Sequence, residues 1–441
     1  MQARKSLIAL AVLASVSGAA FAGNGTATTY QNGSDNGIVA EQSGATNSNL
    51  NVTQVGSNNN AGTPATSGWF GQAAQPLYQA SRDSNLTVLQ TNSYNTAAAR
   101  QTGGVQNQGT INQTGAAGNS VFNQQKATLN QAGSYNSANI TQTANKGLTN
   151  SASVKQDGTG NSAWATQENN TRATTNVSQY NDNNKAWSTQ TNSTDVTATL
   201  TQRGNNNEGS VTQADSARSQ ATLLQEGGYN KAWVNQVGNT QDSQATVDQN
   251  GQGHTGNVTQ TYSWNSEAKL TQTGNNSTGT ISQSDADYSK AFLTQSGSNN
   301  TGTLNQDKAD NSRITATQNG SYNQIVANQT GPYGGNPGDS RLKATITQDG
   351  VGNKITSNQT GSRNELESKQ SGNENRITSN QAGYDNDAYL TQQAGGYNVI
   401  DLSQTASASG AYAKVTQSGS YLTANVTQTG GNNNSVTINQ H

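Results

Sequence analysis

The chain has 441 residues, of which 29% are hydrophobic and 11% charged, with 47 glycines and a formal net charge of −2. This composition excludes a conventional aliphatic core of that size, because little apolar surface is available to offset the conformational entropy of the chain. The absence of cysteine excludes disulfides and thiolate chemistry, and the lack of a basic patch argues against nucleic-acid binding.

Residues 1–22 predict a secretory signal peptide. Arg4 and Lys5 supply its short basic region, and the apolar run from Leu7 to Val16 is too short to span a bilayer. Cleavage is expected after Ala22, which leaves residues 23–30 as a short N-terminal segment. We therefore expect a secreted protein that does not insert into a membrane.

Glutamines mark a tandem repeat that fills residues 31–60, 79–331 and 341–441. From Gln131 onward most intervals alternate between 11 and 12 residues, so two arcs make a unit of about 23 residues. The first arc reads Gln-x-Gly-x-x-Asn-x-Ala-x-x-x-Gln, and the second often reads Ser-x-x-x-x-x-Gln. A random low-complexity sequence would not keep this register, which argues against disorder.

Within each arc the selected positions lie two residues apart, which is the period of a β-strand with one buried face. A two-stranded unit is unstable alone, so neighbouring units must stack. The sequence thus predicts an all-β, single-domain β-solenoid of roughly 17–18 strand-turn-strand repeats with ladders of inward amides. The predicted ladder residues, expected to carry self-assembly, are Gln131, Asn136, Gln142, Gln156, Asn161, Gln167, Gln225, Asn230, Gln236, Ser266, Gln272, Ser289, Gln295, Ser312 and Gln318. The predicted turn glycines are Gly133, Gly158, Gly227, Gly297 and Gly320.

The four prolines fall in the two stretches where the glutamine spacing fails. Proline cannot donate to a sheet ladder, so its confinement there favours β structure elsewhere. We interpret residues 61–78 as a Pro-containing insertion and residues 332–340 as a Pro/Gly-rich insertion, both extruded from a corner of the solenoid. A partner-binding role for these loops is a second interpretation.

Outward positions also form columns. Trp164, Trp187 and Trp233 share one outward position, and the first two are predicted to stack about 5 Å apart on successive units. Tyrosines such as Tyr135 and Tyr229 recur in the turn before Asn. We interpret these columns as surface stacking that stabilises the rod, with lateral contact or adhesion as the alternative.

The two arcs together resemble the curlin repeat, over most of the chain and in many copies behind the signal peptide. The resemblance implies a structural subunit of curli fibres, the extracellular amyloid of bacterial biofilms, with roles in cell adhesion. It also implies an extracellular location at the cell surface, reached through the periplasm. It implies a homopolymer, a minor nucleator subunit and a dedicated outer-membrane secretion pore as partners. The chain is more similar to the major subunit, because it lacks the basic final repeat typical of the nucleator.

The sequence departs from curlin in several respects. It is much longer than a five-repeat curlin, and His254 and Ser277 replace Asn of the first arc. The segment before the first repeat is shorter than the exporter-recognition segment usual in the family. These differences leave open how an exporter would recognise the chain.

No catalytic, cofactor or metal site is predicted. His254 occupies an Asn position of the repeat, and the two Asp-Gly segments at Asp157 and Asp349 offer one carboxylate each, too few for a calcium loop. A fibre subunit is expected to self-assemble head to tail by stacking of its open edge strands. The alternative is a monomeric secreted β-solenoid that binds a surface, as an ice-binding or adhesive passenger protein would. Thr141, Thr166 and Thr189 make one outward Thr column, but the adjacent column is irregular.

Overall fold

A computed structural model of the protein describes residues 24–62, 76–115, 124–146, 150–332 and 340–441. In these ranges the chain forms 36 β-strands and no helix. The chain passes back and forth between two sheets, and each strand of an interior coil pairs in parallel with the equivalent strands of the coils before and after it. The predicted all-β, single-domain solenoid is confirmed, with one strand of a 17-stranded sheet in each coil.

Sheet A contains one strand from each coil, and all its pairings are parallel. Its strands are β1 (Thr26–Asn32), β4 (Asn49–Val55), β7 (Asn85–Thr91), β9 (Gln108–Thr114), β11 (Ser137–Thr143), β13 (Ser162–Glu168), β15 (Lys185–Thr191), β17 (Glu208–Ala214), β19 (Lys231–Val237), β21 (Thr255–Thr261), β23 (Thr278–Ser284), β25 (Thr301–Asp307), β27 (Gln324–Thr330), β29 (Lys354–Ser362), β31 (Arg376–Tyr384), β33 (Val399–Gln404) and β35 (Thr423–Gln428).

Sheet B contains the other strand of each coil, which is interrupted in the first two coils. Its strands are β2 (Gly37–Ile38), β3 (Ala40–Gln42), β5 (Asn60–Ala61), β6 (Leu77–Arg82), β8 (Asn95–Val105), β10 (Gln125–Ser134), β12 (Asn150–Thr159), β14 (Thr174–Tyr180), β16 (Thr197–Arg203), β18 (Gln220–Gly228), β20 (Gln244–Gln252), β22 (Glu267–Asn275), β24 (Lys290–Ser298), β26 (Arg313–Ser321), β28 (Lys343–Val351), β30 (Glu365–Asn373), β32 (Asp387–Gln393), β34 (Tyr412–Ser418) and β36 (Ser435–Gln440).

The core lies between the two sheets. Each inward position of a strand lines up with the same position of the next coil, so the inward side chains form columns along the rod. In β11, Ala138, Ile140 and Gln142 point inward and are at most 4% exposed, while the residues between them face solvent. Register places Ala138 beside Ala163 and Gln142 beside Gln167 of the next coil. Because the side-chain period is two, this register keeps aliphatic groups in the middle of the core and amides at its edge.

Several predicted boundaries need correction. The first strand begins at Thr26 and pairs in register with β4, so the repeat starts inside the segment predicted as 23–30. The predicted insertion 61–78 is narrower, because Ala61 belongs to β5 and Leu77 begins β6. Ser340, assigned to the second insertion, is buried, and its hydroxyl donates to the carbonyl of Lys308 at 3.3 Å.

Coil length also varies where no proline occurs. Gln101 and Gln131 are adjacent rungs of one ladder although 30 residues separate them in sequence. The signal peptide, Pro64 and Pro337 lie outside the described residues.

Candidate assembly surfaces

Glutamine ladders run along both sheets. In sheet B the side-chain amide of Gln131 donates from Nε2 to Oε1 of Gln156 at 2.9 Å, and Gln156 donates in the same way to Gln179. In sheet A, Gln142 donates to Gln167 at 2.7 Å. The sheet B ladder joins Gln42, Gln79, Gln101, Gln131, Gln156, Gln179, Gln202, Gln225, Gln249, Gln272, Gln295, Gln318, Gln348, Gln370, Gln392, Gln417 and Gln440.

In most rungs the amide nitrogen also donates to one or two main-chain carbonyls. Gln225, for example, donates to Gln249 at 2.9 Å and to the carbonyl of Glu208 at 3.1 Å. A buried amide left without these partners would cost about 1–3 kcal/mol, whereas a satisfied rung contributes about 1 kcal/mol. The polar core is therefore stable only when each coil has a neighbour on both sides.

Asparagines at the turn from sheet B to sheet A form a second ladder. Asn136 Oδ1 accepts from the main-chain N–H of Asn161 at 3.1 Å. Its Nδ2 donates to the carbonyls of Ala132 at 3.0 Å and Gly158 at 2.9 Å. Asn230 repeats the arrangement and accepts from the N–H of His254 at 3.0 Å. These side chains fix the shape of the turn, which we call the Asn corner.

The predicted turn glycines lie within the ends of sheet B strands rather than in the turn itself, which corrects the sequence interpretation. Gly133 is in β10 with φ +96°, and a Cβ there would lie 2.1 Å from the carbonyl oxygen of Gly158 in the next coil. Gly158, Gly227, Gly297 and Gly320 likewise have φ between +98° and +137°. The turn residue with left-handed φ is the one before Asn, such as Tyr135 at +58°. Glycine is required because successive coils approach one another closely there.

Serines form the equivalent ladder at the opposite turn, from sheet A to sheet B, which we call the Ser corner. The N–H of Ser289 donates to Oγ of Ser266 at 3.2 Å, and the N–H of Ser312 donates to Oγ of Ser289 at 3.2 Å. The Ser289 hydroxyl donates to the carbonyl of Asp287 at 3.0 Å. All the predicted ladder residues, at both corners and in both sheets, are inward and at most 2% exposed.

His254 occupies an Asn position of the ladder but makes fewer hydrogen bonds there than Asn does. Its Nδ1 accepts from the N–H of Ser277 at 3.3 Å, but its buried Nε2 has no hydrogen-bond partner among the described residues. Burial lowers the pKa of the imidazole, and the nearby main-chain groups of Asn250, Gly274 and Ser277 act in the opposite direction without cancelling it. The ring is therefore held neutral as a rung of the ladder.

Donation along both ladders runs in one direction, from each coil to the next coil toward the C-terminus. At the N-terminal end, Oε1 of Gln31 and of Gln42 accepts no hydrogen bond from any described residue, although each Nε2 donates to the following rung at 2.7 Å. At the other end, Gln440 accepts from Gln417 and donates only to the carbonyl of Thr423 within the described chain. One end of the rod thus presents acceptors and the other presents a donor.

The inward residues of the first and last coils are also chemically similar at equivalent positions. Strand β1 and strands β2 and β3 pair on one side only among the described strands, as do β35 and β36. Following the register through the rod, the columns pair Ala27 with Ala424, Thr29 with Val426, Gln31 with Gln428, Ile38 with Val436, Ala40 with Ile438, and Gln42 with Gln440. Val436 and Ile438 pack on the core but stay partly exposed.

Sequence reasoning predicted stacking of the open edge strands but did not identify the residues that match at the two ends. The predicted residues all lie in interior coils, and the residues that would meet another copy are Gln31, Gln42, Gln428 and Gln440. The signal was available, because each of these glutamines continues the spacing of the repeat. The direction of donation could not be read from sequence, since an amide can be oriented either way in a ladder.

Neither a protein-family model nor a curated protein matches the chain. Among the described residues the structure contains no helix that could cross a membrane. Nor do His, Asp and Glu residues there form a group that could hold a metal ion. The candidate functional surfaces of the described chain are the two end coils and the outer faces of the two sheets.

Proposed function

We propose that the protein is a structural subunit of an extracellular, curli-like amyloid fibre that grows by end-to-end stacking of solenoids. The observation that carries the proposal is the match between the end coils. The unpaired acceptor of Gln42 on one end fits the amide of Gln440 on the other, which makes one donation within the described chain. The same register sets Gln31 over Gln428, whose amide already donates to the carbonyls of Tyr412 and Asn434, and it aligns the aliphatic columns. Such a head-to-tail interface repeats without closing and gives a filament.

Stacking would satisfy the groups that the end coils leave unpaired. An exposed edge strand presents main-chain N–H and C=O groups that favour pairing with another chain. Each added copy would pair two strands at once, and each new main-chain hydrogen bond contributes about 1 kcal/mol net. The same stacking would bury Val436 and Ile438, which are now covered on one side.

Export and partners are proposed from the sequence. The predicted signal peptide supports secretion, and the resemblance to curlin supports cell adhesion, a biofilm matrix, a minor nucleator subunit and a dedicated outer-membrane pore. The outward residues Tyr30 and Thr427 are exposed and lie at the proposed junction, so substitutions there would alter assembly without disturbing the core.

The test is assembly of the purified chain from residue 23 onward. We expect fibres with a meridional reflection near about 4.7 Å. A variant with Tyr30→Glu and Thr427→Glu would place like charges about 5 Å apart at every junction and slow elongation about fivefold. The matched control, Tyr30→Lys with Thr427→Glu, should restore the wild-type rate. A wild-type chain that stays a folded monomer at high concentration would contradict the proposal and favour the monomeric surface-binding solenoid.

A further inference from the structure

The outer face of sheet A carries a notch between indole rings. Trp164 and Trp187 stack in parallel, with ring centroids 5.3 Å apart and an interplanar angle of 3°. The next position in that column is Ser210, and the one after it is Trp233, which is 36% exposed. A short side chain therefore separates two outward indoles. We call the outward side chains of β13, β15, β17, β19, β21 and β23 the Trp face.

In β17 and β19 the outward columns at the two edges of the sheet differ in chemistry, since one is charged and the other is apolar. One column holds Glu208 and Lys231, whose side chains lie 3.7 Å apart on the surface. The column at the far end of the strands holds Ala214 and Val237 in the same two coils. In β17 and β19 the Trp face is thus divided into a charged edge, an aromatic column, a hydroxyl and amide column, and a small apolar edge.

We propose that the Trp face binds a second copy of the chain in an antiparallel, two-fold arrangement. A two-fold axis along the strand direction, between β17 and β19, makes each column face itself with the order of coils reversed. Trp233 of each copy then enters the notch at Ser210 of the other, and Glu208 of each copy faces Lys231 of the other. In the remaining two columns Thr212 faces Asn235, and Ala214 faces Val237.

The other indoles also meet short side chains in this arrangement. Because β15 faces β21 and β13 faces β23, Trp187 lies against Asn257 and Trp164 against Thr280. An isologous contact requires such self-complementarity, since one patch must serve as both partners.

Neighbouring registers fit less well. An axis one coil earlier, between β15 and β17, also sets Trp187 against Ser210 and Lys185 against Glu208, but it sets Trp164 against Trp233, so that two bulky rings meet with no short side chain opposite either. An axis through β17 sets Glu208 against Glu208, and one through β19 sets Lys231 against Lys231. Like charges directly opposite one another destabilise a sheet contact. A parallel pairing with the axis along the rod would bury Lys231 against Val237 without a counter-charge, which also disfavours it.

The size of the Trp face is adequate for a specific contact. Six coils about 4.8 Å apart and seven-residue strands rising about 3.3 Å per residue give about 650 Å² per copy. The total of about 1,300 Å² lies within the range of specific protein interfaces. Indole rings placed at the centre of an interface are among its most effective anchors. The twist of the sheets limits the contact to about this number of coils.

This pairing is separate from end-to-end growth. It joins two rods of opposite polarity side by side and uses none of the end-coil residues. Sedimentation velocity of the freshly folded chain should show a two-rod dimer before fibres appear, and electron microscopy of fibres should show paired filaments. Failure of end-to-end growth would abolish long fibres but leave the dimer, so the two proposals can fail independently.

The decisive variant is Ser210→Trp, which fills the notch. It makes the indole stack continuous from Trp164 to Trp233, so thermal stability should be unchanged or higher, while dimer affinity falls at least tenfold. Glu208→Lys should also weaken the dimer at least tenfold, and adding Lys231→Glu to that variant should restore it. A Ser210→Trp chain that dimerises like the wild type, a charge exchange that fails to restore pairing, or a wild-type chain with only single rods would overturn the proposal.

Discussion

The glutamine ladders of the two sheets differ in continuity. In sheet B the amide bonds run without a break from Gln42 to Gln440. In sheet A they run from Gln31 to Gln381 and stop, because the buried Oε1 of Gln404 has no hydrogen-bond partner among the described residues. The ladder then resumes with a 2.9 Å bond from Gln404 to Gln428. The backbone register is intact across the break, since Gln381 still pairs with Gln404.

The break shows that main-chain register alone does not make a ladder. The amide of Gln381 donates to the carbonyls of Glu365 at 2.9 Å and Asn386 at 3.0 Å but makes no bond to the next glutamine. Gln359 makes the equivalent two carbonyl bonds and still donates to Gln381 at 3.0 Å, so the carbonyl bonds alone do not cause the break. The turn after Gln404 also lacks the Gly-x-x-Asn sequence of the coil before it. A rung therefore depends on successive coils having corners of the same shape.

Glycines with positive φ stack from coil to coil, and we call this stack the glycine column. Like the glutamine ladders, these glycines are more regular in sheet B than in sheet A. At the Asn corner a glycine occurs in nearly every coil, and its absent Cβ lets the carbonyl of the next coil approach. At the Ser corner fewer of the described coils have such a glycine, and Gly56 and Gly361 are examples. The arc of sheet B is thus the more uniform of the two, and its ladder is the unbroken one.

The largest predicted effect comes from breaking the glycine column. Gly297→Ala would place a Cβ 2.0 Å from the carbonyl oxygen of Gly320 at φ +104°. We expect a loss of about 3–5 kcal/mol and local opening of the adjacent coils, measured by hydrogen exchange and urea unfolding. Gly103→Ala is the matched control, because Gly103 has φ +66° but no atom within 4 Å of its added Cβ. It should cost about 1–2 kcal/mol. Equal losses at the two sites would contradict the close-approach argument.

A second prediction compares an intact rung with the broken one. Gln249→Leu removes bonds to both neighbours and leaves Oε1 of Gln272 and one hydrogen of Gln225 unpaired, for a cost of about 2–4 kcal/mol. Gln404→Leu removes an acceptor that is already unpaired, so we expect a cost smaller by about 1–2 kcal/mol. The unfolding free energies of the two variants, each compared with the wild type, measure this difference. A larger loss at Gln404 would be inconsistent with the break.

The smallest predicted effect is at His254. The imidazole pKa is lower in the folded chain than in the unfolded chain, so the unfolded state takes up the proton first and stability falls as the pH drops below about 6.5. His254→Asn should remove this part of the pH dependence and, by restoring a complete rung, add about 1 kcal/mol at pH 7.5. Urea unfolding of both proteins across pH 5–8 measures it. Parallel pH profiles would show that His254 does not titrate on unfolding.

The regularly repeated parts of the structure could be predicted from the sequence, whereas its irregular parts could not. The spacing placed Gln156, Asn161 and Ser289 inward, and it predicted the stack of Trp164 on Trp187. It could not reveal the break at Gln404, where the spacing is normal and only the corner that follows has changed. Strand β1 was missed because Thr26 precedes the first Gln of the pattern, although its inward Ala27 and Thr29 continue the core columns.

The central claim is that one copy continues the solenoid of the next in register. Since the chain has no cysteine, Tyr30→Cys in one preparation and Thr427→Cys in another give single outward thiols at the proposed junction. Adjacent parallel strands place these two Cα atoms about 4.8 Å apart, within the range that a disulfide spans. After co-assembly and mild oxidation, we predict disulfides between positions 30 and 427 and none between two copies of the same variant. Fibres without that cross-link, or with only same-site disulfides, would contradict end-to-end stacking in this register.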